Sequence, residues 1–278
     1  SNWFSVRNFW GFFVLAALNI DVKNASTAQA AFLFRRGLFG NNDAFDVGAF
    51  SEHLSYIFEN KILSSLEESG VEVHKSTKIN SLIWNGTKYS GVKTSSEEYS
   101  GDLVILATPH HITNNLLKNG PDSAKKICGN LEKMEYNSLI GIHGLYSKQI
   151  TDNDFHFTAL VNEPIIQMVF NRTFELKEDI NSDIQQWLSV PVSYADPYLK
   201  HTNEELEEEY KKVIGKVWPE HSNHLSKILI IKSPKATFST KRGSAKLRPS
   251  SKEQIPGLIL CGDYTDNNWP STMEGAVT

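Results

Sequence analysis

Residues 102–109, DLVILATP, form a continuous apolar run that stops at Thr-Pro. Such a run predicts a strand buried on both faces, the kind found in a layered α/β sheet. A second short run, LILC at residues 258–261, enters Gly262-Asp263, crosses a polar loop and opens a small-residue helix near Ser271. In open α/β sheets ligands bind outside the carboxyl ends of the strands. Gly262 and Asp263 stand at such an end. A carboxylate there cannot favour a phosphate directly, but it accepts hydrogen bonds from sugar or ribityl hydroxyls. The residues that follow, Ser271, Thr272, Met273, Glu274, Gly275 and Ala276, start the helix. Free N–H groups and the positive dipole end of a helix suit a pyrophosphate or a ring carbonyl gathering negative charge. Gly275 and Ala276 let backbone approach a ligand closely. The same residues also read as an ordinary strand-to-helix turn with Ser271 or Thr272 as N-cap, and spacing alone leaves both readings open.

Other segments fill in a mixed α/β chain. The stretch from Trp10 to about Arg36 is compatible with helix, with a break near Asn19-Ile20-Asp21. A turn-rich connection, residues 37–48, leads to an amphipathic helix over 50–68, with Ser51 as N-cap, Leu54, Ile57, Phe58 and Ile62 on one face and Gly70 placed to end it. VEVHK at 71–75 alternates as a strand does, and strands at 79–84 and 89–94 flank Asn85-Gly86, a strong hairpin signal. Residues 139–145, 165–170, 186–192 and 225–231 read as further strands. A helix is predicted over 202–217, because Thr202-x-x-Glu205 is a capping box and Leu206, Tyr210, Val213 and Val217 make an apolar stripe. The acids from Glu204 to Glu209 fall in its first turns, where they suit the helix dipole as a solvated face. Mixed α/β signals at both ends thus enclose a strand-rich middle, which suggests two interleaved domains, a nucleotide-type sheet and an inserted second sheet.

Composition narrows the function. A formal net charge of −4 with no block of Lys or Arg leaves nucleic-acid binding without an electrostatic footprint. The 2 cysteines form no C-x-x-C, and the 9 histidines form no H-E-x-x-H, so no metal site is expected; His221 and His224 are at best a weak ligand pair. No G-x-S-x-G supports a hydrolase elbow, and no G-x-G-x-x-G or P-loop occurs. The longest apolar stretch, residues 9–18, is shorter than the ~20 residues that span a bilayer. Its fate is burial in the fold or service as an interfacial helix. Unpaired cysteines point to a reducing, cytoplasmic compartment.

GDYTDNNWPSTMEGAV resembles the C-terminal FAD-binding motif of flavin amine oxidases and carotenoid-type desaturases. Within that superfamily the chain most resembles the squalene-associated FAD-dependent desaturases, the hydroxysqualene dehydroxylase group. FWGFFVLAALNIDVKNASTAQAAFLFRR is similar to that group's tryptophan, A-A-L-N and A-S-A-Q segment. GVEVHKSTKINSLIW followed by DLVILATP is similar to the second FAD-contacting unit, and KATFSTKRGSAKLRP to the A-T-F…R-P stretch before the final motif. The matches run in order over essentially the whole chain.

The resemblance implies an FAD/NAD(P)-binding Rossmann-like domain with an interleaved substrate domain on a mixed β-sheet with helices. Residues 51–125 and 250–278 would make up the cofactor-binding region, and residues 1–50 and 126–249 the substrate-binding region. The family's N-terminal unit with G-x-G-x-x-G has no counterpart here, so the chain is expected to be a portion of a longer enzyme. FAD is the implied cofactor. Gly262 would lie beside it, Asp263 would hold its ribityl chain, and the backbone from Thr272 through Met273, Glu274 and Gly275 to Ala276 would face the pyrimidine edge, favouring reduced flavin. Ile79 would offer backbone to adenine, Ala107, Thr108 and Pro109 would end a strand beside the cofactor, and Trp269 and Pro270 would pack near the isoalloxazine ring. The implied substrate is a long apolar isoprenoid, squalene-like, handled by hydride transfer in a tunnel lined by residues such as Phe155, Phe157, Met168 and Phe170, which read equally as core. A lipid-borne substrate implies visits to the inner face of a membrane. No residue stands out as acid or base; Asn19 and Tyr264 are polar candidates. A phytoene-type desaturase, an amine oxidase, and a non-catalytic binding protein that keeps the fold without flavin remain as alternatives.

Overall fold

The computed structural model describes residues 3–44, 46, 48, 50–152, 154–175, 183–252 and 254–278. Ten strands are found among them: β1 (Ser81–Trp84), β2 (Tyr89–Lys93), β3 (Glu98–Ser100), β4 (Val104–Leu106), β5 (Tyr136–Tyr146), β6 (Phe157–Ala159), β7 (Met168–Asn171), β8 (Gln186–Ser193), β9 (Leu225–Phe238) and β10 (Leu258–Leu260). The chain divides into two units, one of Ser1–Val22, Asp46–Ser69 and Asn137–Ala236, the other of Lys23–Phe45, Gly70–Tyr136 and Thr237–Thr278. Mixed helix and sheet is the class expected from the sequence.

In the second unit β1, β2 and β3 form an antiparallel meander. Its first turn is where Asn85-Gly86 places it. Gly86 has φ +100°, and Asn85 Oδ1 accepts from the N–H groups of Thr87 (3.0 Å) and Lys88 (2.9 Å). The two continuous apolar runs become β4 and β10, a parallel pair with Val104 opposite Leu258 and Leu106 opposite Leu260. The helices His110–Leu117 and Asp122–Leu131, neither read from the sequence, add Leu117, Ala124, Ile127 and Leu131 to the core that buries Val104 and Leu106.

Two expectations for this unit are corrected. β4 is not buried on both faces: Val104 and Leu106 point inward, but Ile105 between them is 58% exposed. Successive strand side chains take opposite faces, and the core just described takes only one of them. VEVHK is not a strand, and Val71 and Val73 are exposed. Alternation makes a segment strand-compatible, but a strand exists only where a neighbour completes its hydrogen-bond ladder, and none pairs with 71–75 among the described residues.

The first unit is built on a five-stranded sheet in the order β6-β7-β8-β5-β9. β5 and β8 pair antiparallel from Leu139↔Ser193 to Tyr146↔Gln186, and their alternation buries Ile140, Ile142, Leu188, Val190 and Val192. The helix Asn203–Val217 adds Leu206, Tyr210, Val213 and Ile214 to that core. The expected capping box is present, with Thr202 and Glu205 each accepting from the other's backbone N–H. Val217, expected on the stripe, is exposed, and Ile214 takes the buried position. Phe155 and Trp218 meet edge to face with centroids 5.2 Å apart, and Phe157 stacks on Phe170 at 5.7 Å.

The helical run 3–18 ends where the sequence breaks, at Asn19, whose φ of 52° is left-handed. Asn19 Nδ2 donates to Ser138 O (3.2 Å), its Oδ1 accepts from Tyr194 N–H (2.5 Å), and its own carbonyl accepts from Asn137 Nδ2 (2.7 Å). Both ends of the amide are therefore committed to backbone, which makes Asn19 a structural tie rather than a chemical group. The helical run 54–68 starts later than expected, because His53 Nδ1, not Ser51, caps it by accepting from Tyr56 N–H at 3.0 Å. Gly70, at φ +79°, ends it as expected. Its apolar face, with Leu54, Phe58 and Ile62, is exposed.

His221 is buried, and burial pushes its imidazole below the usual histidine range. A histidine held neutral in the fold and free to charge when unfolded stabilises most above its unfolded pKa. Stability should therefore fall as pH drops below about 6.5, the free histidine value. Urea titrations of wild type and His221→Gln at pH 7.5 and 5.5 check this: the variant should lose less between the two, and parallel losses would remove His221 as the cause.

Candidate functional site

The parallel pairing of β4 with β10 brings two predicted groups together, although about 150 residues separate them in the chain. Ala107, Thr108 and Pro109 leave the carboxyl end of β4, and Gly262 and Asp263 leave that of β10, with Cys261 N–H donating to Leu106 O at 2.9 Å. A hydroxyl chain joins the ends. Thr108 Oγ1 lies 2.8 Å from Thr113 Oγ1, which lies 3.0 Å from the buried Tyr264 hydroxyl. Burial pushes the Tyr264 phenol up to about 12. Tyr136 is raised by burial too, with His111 acting against the shift and Asp263 adding to it. His110 stacks on Tyr136 with centroids 4.0 Å apart, and His111 Nδ1 meets the Tyr136 hydroxyl at 2.7 Å. Both phenols thus stay protonated at neutral pH. Tyr264 serves as a hydrogen-bonding link, not as a base.

The loop after Asp263 folds back on itself. Ser271 Oγ donates to Asp263 Oδ2. Asn267 Oδ1 accepts from Trp269 N–H (3.0 Å), while its Nδ2 donates to Gly275 O. Thr272, not Ser271, is the N-cap of the helix Met273–Val277, its Oγ1 accepting from Gly275 N–H at 3.0 Å. Gly275 is buried, and a Cβ there would stand 2.7 Å from Pro270 O. Met273, Glu274 and Ala276 are exposed, and Pro270 is buried. Trp269 is half-buried, edge-on to Phe32 at 5.0 Å, with the Arg36 guanidinium 6.0 Å from its ring. Ile79 stands apart from this cluster, two residues ahead of β1, next to Asn80, whose N–H donates to Lys93 O at 2.8 Å.

Several members of the cluster carry no motif. Arg248 is 7% exposed; its Nη2 donates to Asp263 O (2.9 Å) and to Asn267 Oδ1 (2.8 Å). Burial pushes its guanidinium below the usual arginine range, and Asp266 and Asp263 act against that shift. The R-P of the 235–249 stretch was the one available signal for it. Thr113 and Tyr136 come from segments with no chemical signature, Phe32 falls in the 9–36 stretch without being part of its motif, and only tertiary packing places the three here. Chemically, the cluster combines one half-buried carboxylate, a rigid loop of backbone donors and neutral hydroxyls. It suits holding a polar, hydroxyl-bearing ligand against the strand ends. Among the described residues no three His, Cys, Asp or Glu side chains converge on a metal-sized site, and no helix is long and apolar enough to cross a membrane.

The carboxyl ends of a parallel strand pair are where open α/β proteins bind nucleotide cofactors, and the polar cluster lies there. The sequence matches flavin containing amine oxidoreductases over residues 3–278, and the chain belongs to that family. The family is flavin-containing, in agreement with the FAD expected from the sequence. Hydroxysqualene dehydroxylase of Rhodopseudomonas palustris is 24% identical over 95% of this chain and 58% of its own length. The 15-cis-phytoene desaturase of Glycine max is 24% identical over 78% of this chain and 39% of its own length. The chain therefore spans between two fifths and three fifths of these curated relatives. Among solved structures, a putrescine oxidase double mutant superposes with a TM-score of 0.68 at 15% identity, covering 96% of this chain and 61% of its own. An oxidoreductase from Methanosarcina mazei gives 0.63 at 13%, covering 99% and 64%. At these identities the likeness is one of fold.

Proposed function

We propose that this chain belongs to an FAD-dependent oxidoreductase that acts on a long apolar isoprenoid of the squalene type. The observation that carries the reading is the junction of β4 and β10, which sets Ala107–Pro109 beside Gly262-Asp263. The residues present fit the cofactor. Asp263 offers a carboxylate whose Oδ1 has no hydrogen-bond partner among the described residues, which suits a ribityl hydroxyl. Gly275 is packed so closely that only bare backbone fits there. We assign Gly262, Asp263, Trp269, Pro270 and the backbone of Thr272, Met273, Glu274, Gly275 and Ala276 to the flavin and ribityl end, with Ala107, Thr108 and Pro109 beside it and Ile79 toward adenine. The cofactor-binding region is drawn as residues 51–125 with 250–278, joined by the segments around Phe32, Tyr136 and Arg248 that pack into the same cluster, and the substrate-binding region as the remainder of residues 1–50 with 126–249. When bound, FAD supplies hydride transfer. The chain's own residues bind and orient: Asp263 accepts, and the neutral Tyr264 and Thr113 hydroxyls lock the strand ends.

The isoprenoid assignment rests on the relatives' names and on the match over 95% of this chain to the dehydroxylase. A phytoene-type desaturase is the neighbouring alternative. An amine oxidase is favoured less, because it calls for aromatic partners facing one another, and Phe32 meets Trp269 at an interplanar angle of 69°. Contact with a membrane surface belongs to the proposal as the route to a lipid-borne substrate. The visible spectrum of the full-length protein, purified without added flavin, tests the reading. It should show the two absorption bands of oxidised flavin. A folded protein that stays colourless in excess FAD would sink the reading and leave a binding protein that keeps the fold.

A further inference from the structure

Arg248 lies on the stretch that precedes β10, not on the motif loop, yet it ties that loop together. One nitrogen, Nη2, donates to both Asp263 O and Asn267 Oδ1. Asn267 Oδ1 also receives Trp269 N–H, and its Nδ2 reaches Gly275 O. An amide has one accepting and one donating end, so with two donors on one side and a carbonyl on the other only one orientation of Asn267 is satisfied. Arg248 supplies one of the donors that select it. Its guanidinium also sits 5.0 Å from the centroid of the buried Phe238 ring, and its Nε is buried without a partner among the described residues. A buried cation is retained at a desolvation cost. Here it is spent on two acceptors of the loop rather than on a carboxylate.

We propose that Arg248 is a positioning residue for the cofactor. Acting through Asn267 and the Asp263 carbonyl, it holds the Asp263 carboxylate and the Gly275 backbone in their binding arrangement before the ligand arrives. A site organised in advance binds without ordering the loop at that moment. This inference rests on the FAD reading above.

The test uses the full-length protein stripped of flavin and titrated with FAD, following flavin fluorescence for affinity, the visible circular dichroism of the saturated protein, and apo-protein Tm. Arg248→Met keeps the side chain's length and removes its donors. It should weaken FAD binding by about 10-fold or more, the worth of a hydrogen bond from a charged donor, and change the circular dichroism at saturation. Arg248→Lys, which keeps a donating cation, should recover some of both. Asn267→Ala should reproduce much of the Met phenotype, and the double variant should lose less than the product of the two single losses, because the two residues share one of Arg248's two contacts to the loop. If Arg248→Met does not fold, Arg248→Lys and Asn267→Ala carry the same comparison. A drop in Tm with wild-type affinity and spectrum would show a purely structural arginine and overturn the proposal, as would multiplying losses in the double variant. A wild-type protein that binds no FAD overturns the functional reading and this proposal together; normal wild-type binding with unaffected variants overturns only this one.

Discussion

Asp263→Ala in the full-length protein should lower FAD affinity by about 100-fold, so that the protein purifies largely without flavin. The carboxylate stands at the carboxyl end of β10, half-buried, with Ser271 Oγ on Oδ2. A charged acceptor that meets a hydroxyl away from bulk water contributes more than a neutral one, and its loss also leaves the Ser271 hydroxyl without its acceptor. Asp263→Asn keeps the shape and an accepting oxygen and should fall between the two. Asp102→Ala serves as control, because Asp102 is fully exposed before β4 and pairs with Lys88 only at 4.0 Å. The flavin-to-protein absorbance ratio of each purified variant is the measurement. Equal ratios in wild type and Asp263→Ala would remove Asp263 from the site.

Gly257→Val should strongly destabilise the unit that carries the site. Gly257 has φ +75°, and an added Cβ would stand 2.1 Å from the Tyr89 carbonyl oxygen. The turn cannot simply shift, because it is tied on both sides: Pro256 O accepts from Tyr89 N–H and Gly257 O from Val104 N–H, each at 2.9 Å. The left-handed conformation costs a non-glycine residue about 1–2 kcal/mol, and more for a β-branched one. Displacing paired backbone adds to this, for a total of about 3–5 kcal/mol. Gly129→Ala is the informative counterpart. That glycine lies in the helix Asp122–Leu131 with open space around it, so the change should be neutral or stabilise by up to about 1 kcal/mol. Urea midpoints of the two variants should move in opposite directions or leave Gly129→Ala unchanged. A Gly257→Val midpoint equal to wild type would mean that the β2–β10 junction yields easily.

Much of the local architecture was readable because it depends on neighbours in the chain. The Thr202/Glu205 box, the Asn85-Gly86 turn and the Gly70 stop are all satisfied by hydrogen bonds or backbone angles within a few residues, and the break at Asn19 shows in its own left-handed φ although distant residues hold its side chain. Two readings failed for a shared reason. VEVHK has the strand pattern but no ladder partner, and Ile105 has the buried-strand pattern but faces solvent; the stripe Leu54–Phe58–Ile62 lies on a helix as read, and it too is exposed. In each case periodicity reports which face could be buried, while burial depends on what packs there. The helices at 110–117 and 122–131 escaped detection because their signals are short and their core face is completed by β4 and β10.

At the site, the amino-acid sequence by itself determined the motif residues: Gly262-Asp263, a helix cap at Ser271 or Thr272, the small residues Gly275 and Ala276, and the Thr-Pro end of β4; the structure chose Thr272 as the cap. These are local demands of backbone conformation and hydrogen-bond chemistry. Only the tertiary structure decided which distant groups join them: Thr113 on Tyr264, His110 and His111 on Tyr136, Phe32 on Trp269, and Arg248 on the loop. The parallel pairing of β4 and β10 brings the two strand ends together across a long crossover. A parallel ladder is made between segments far apart in the chain, so no window of residues records it.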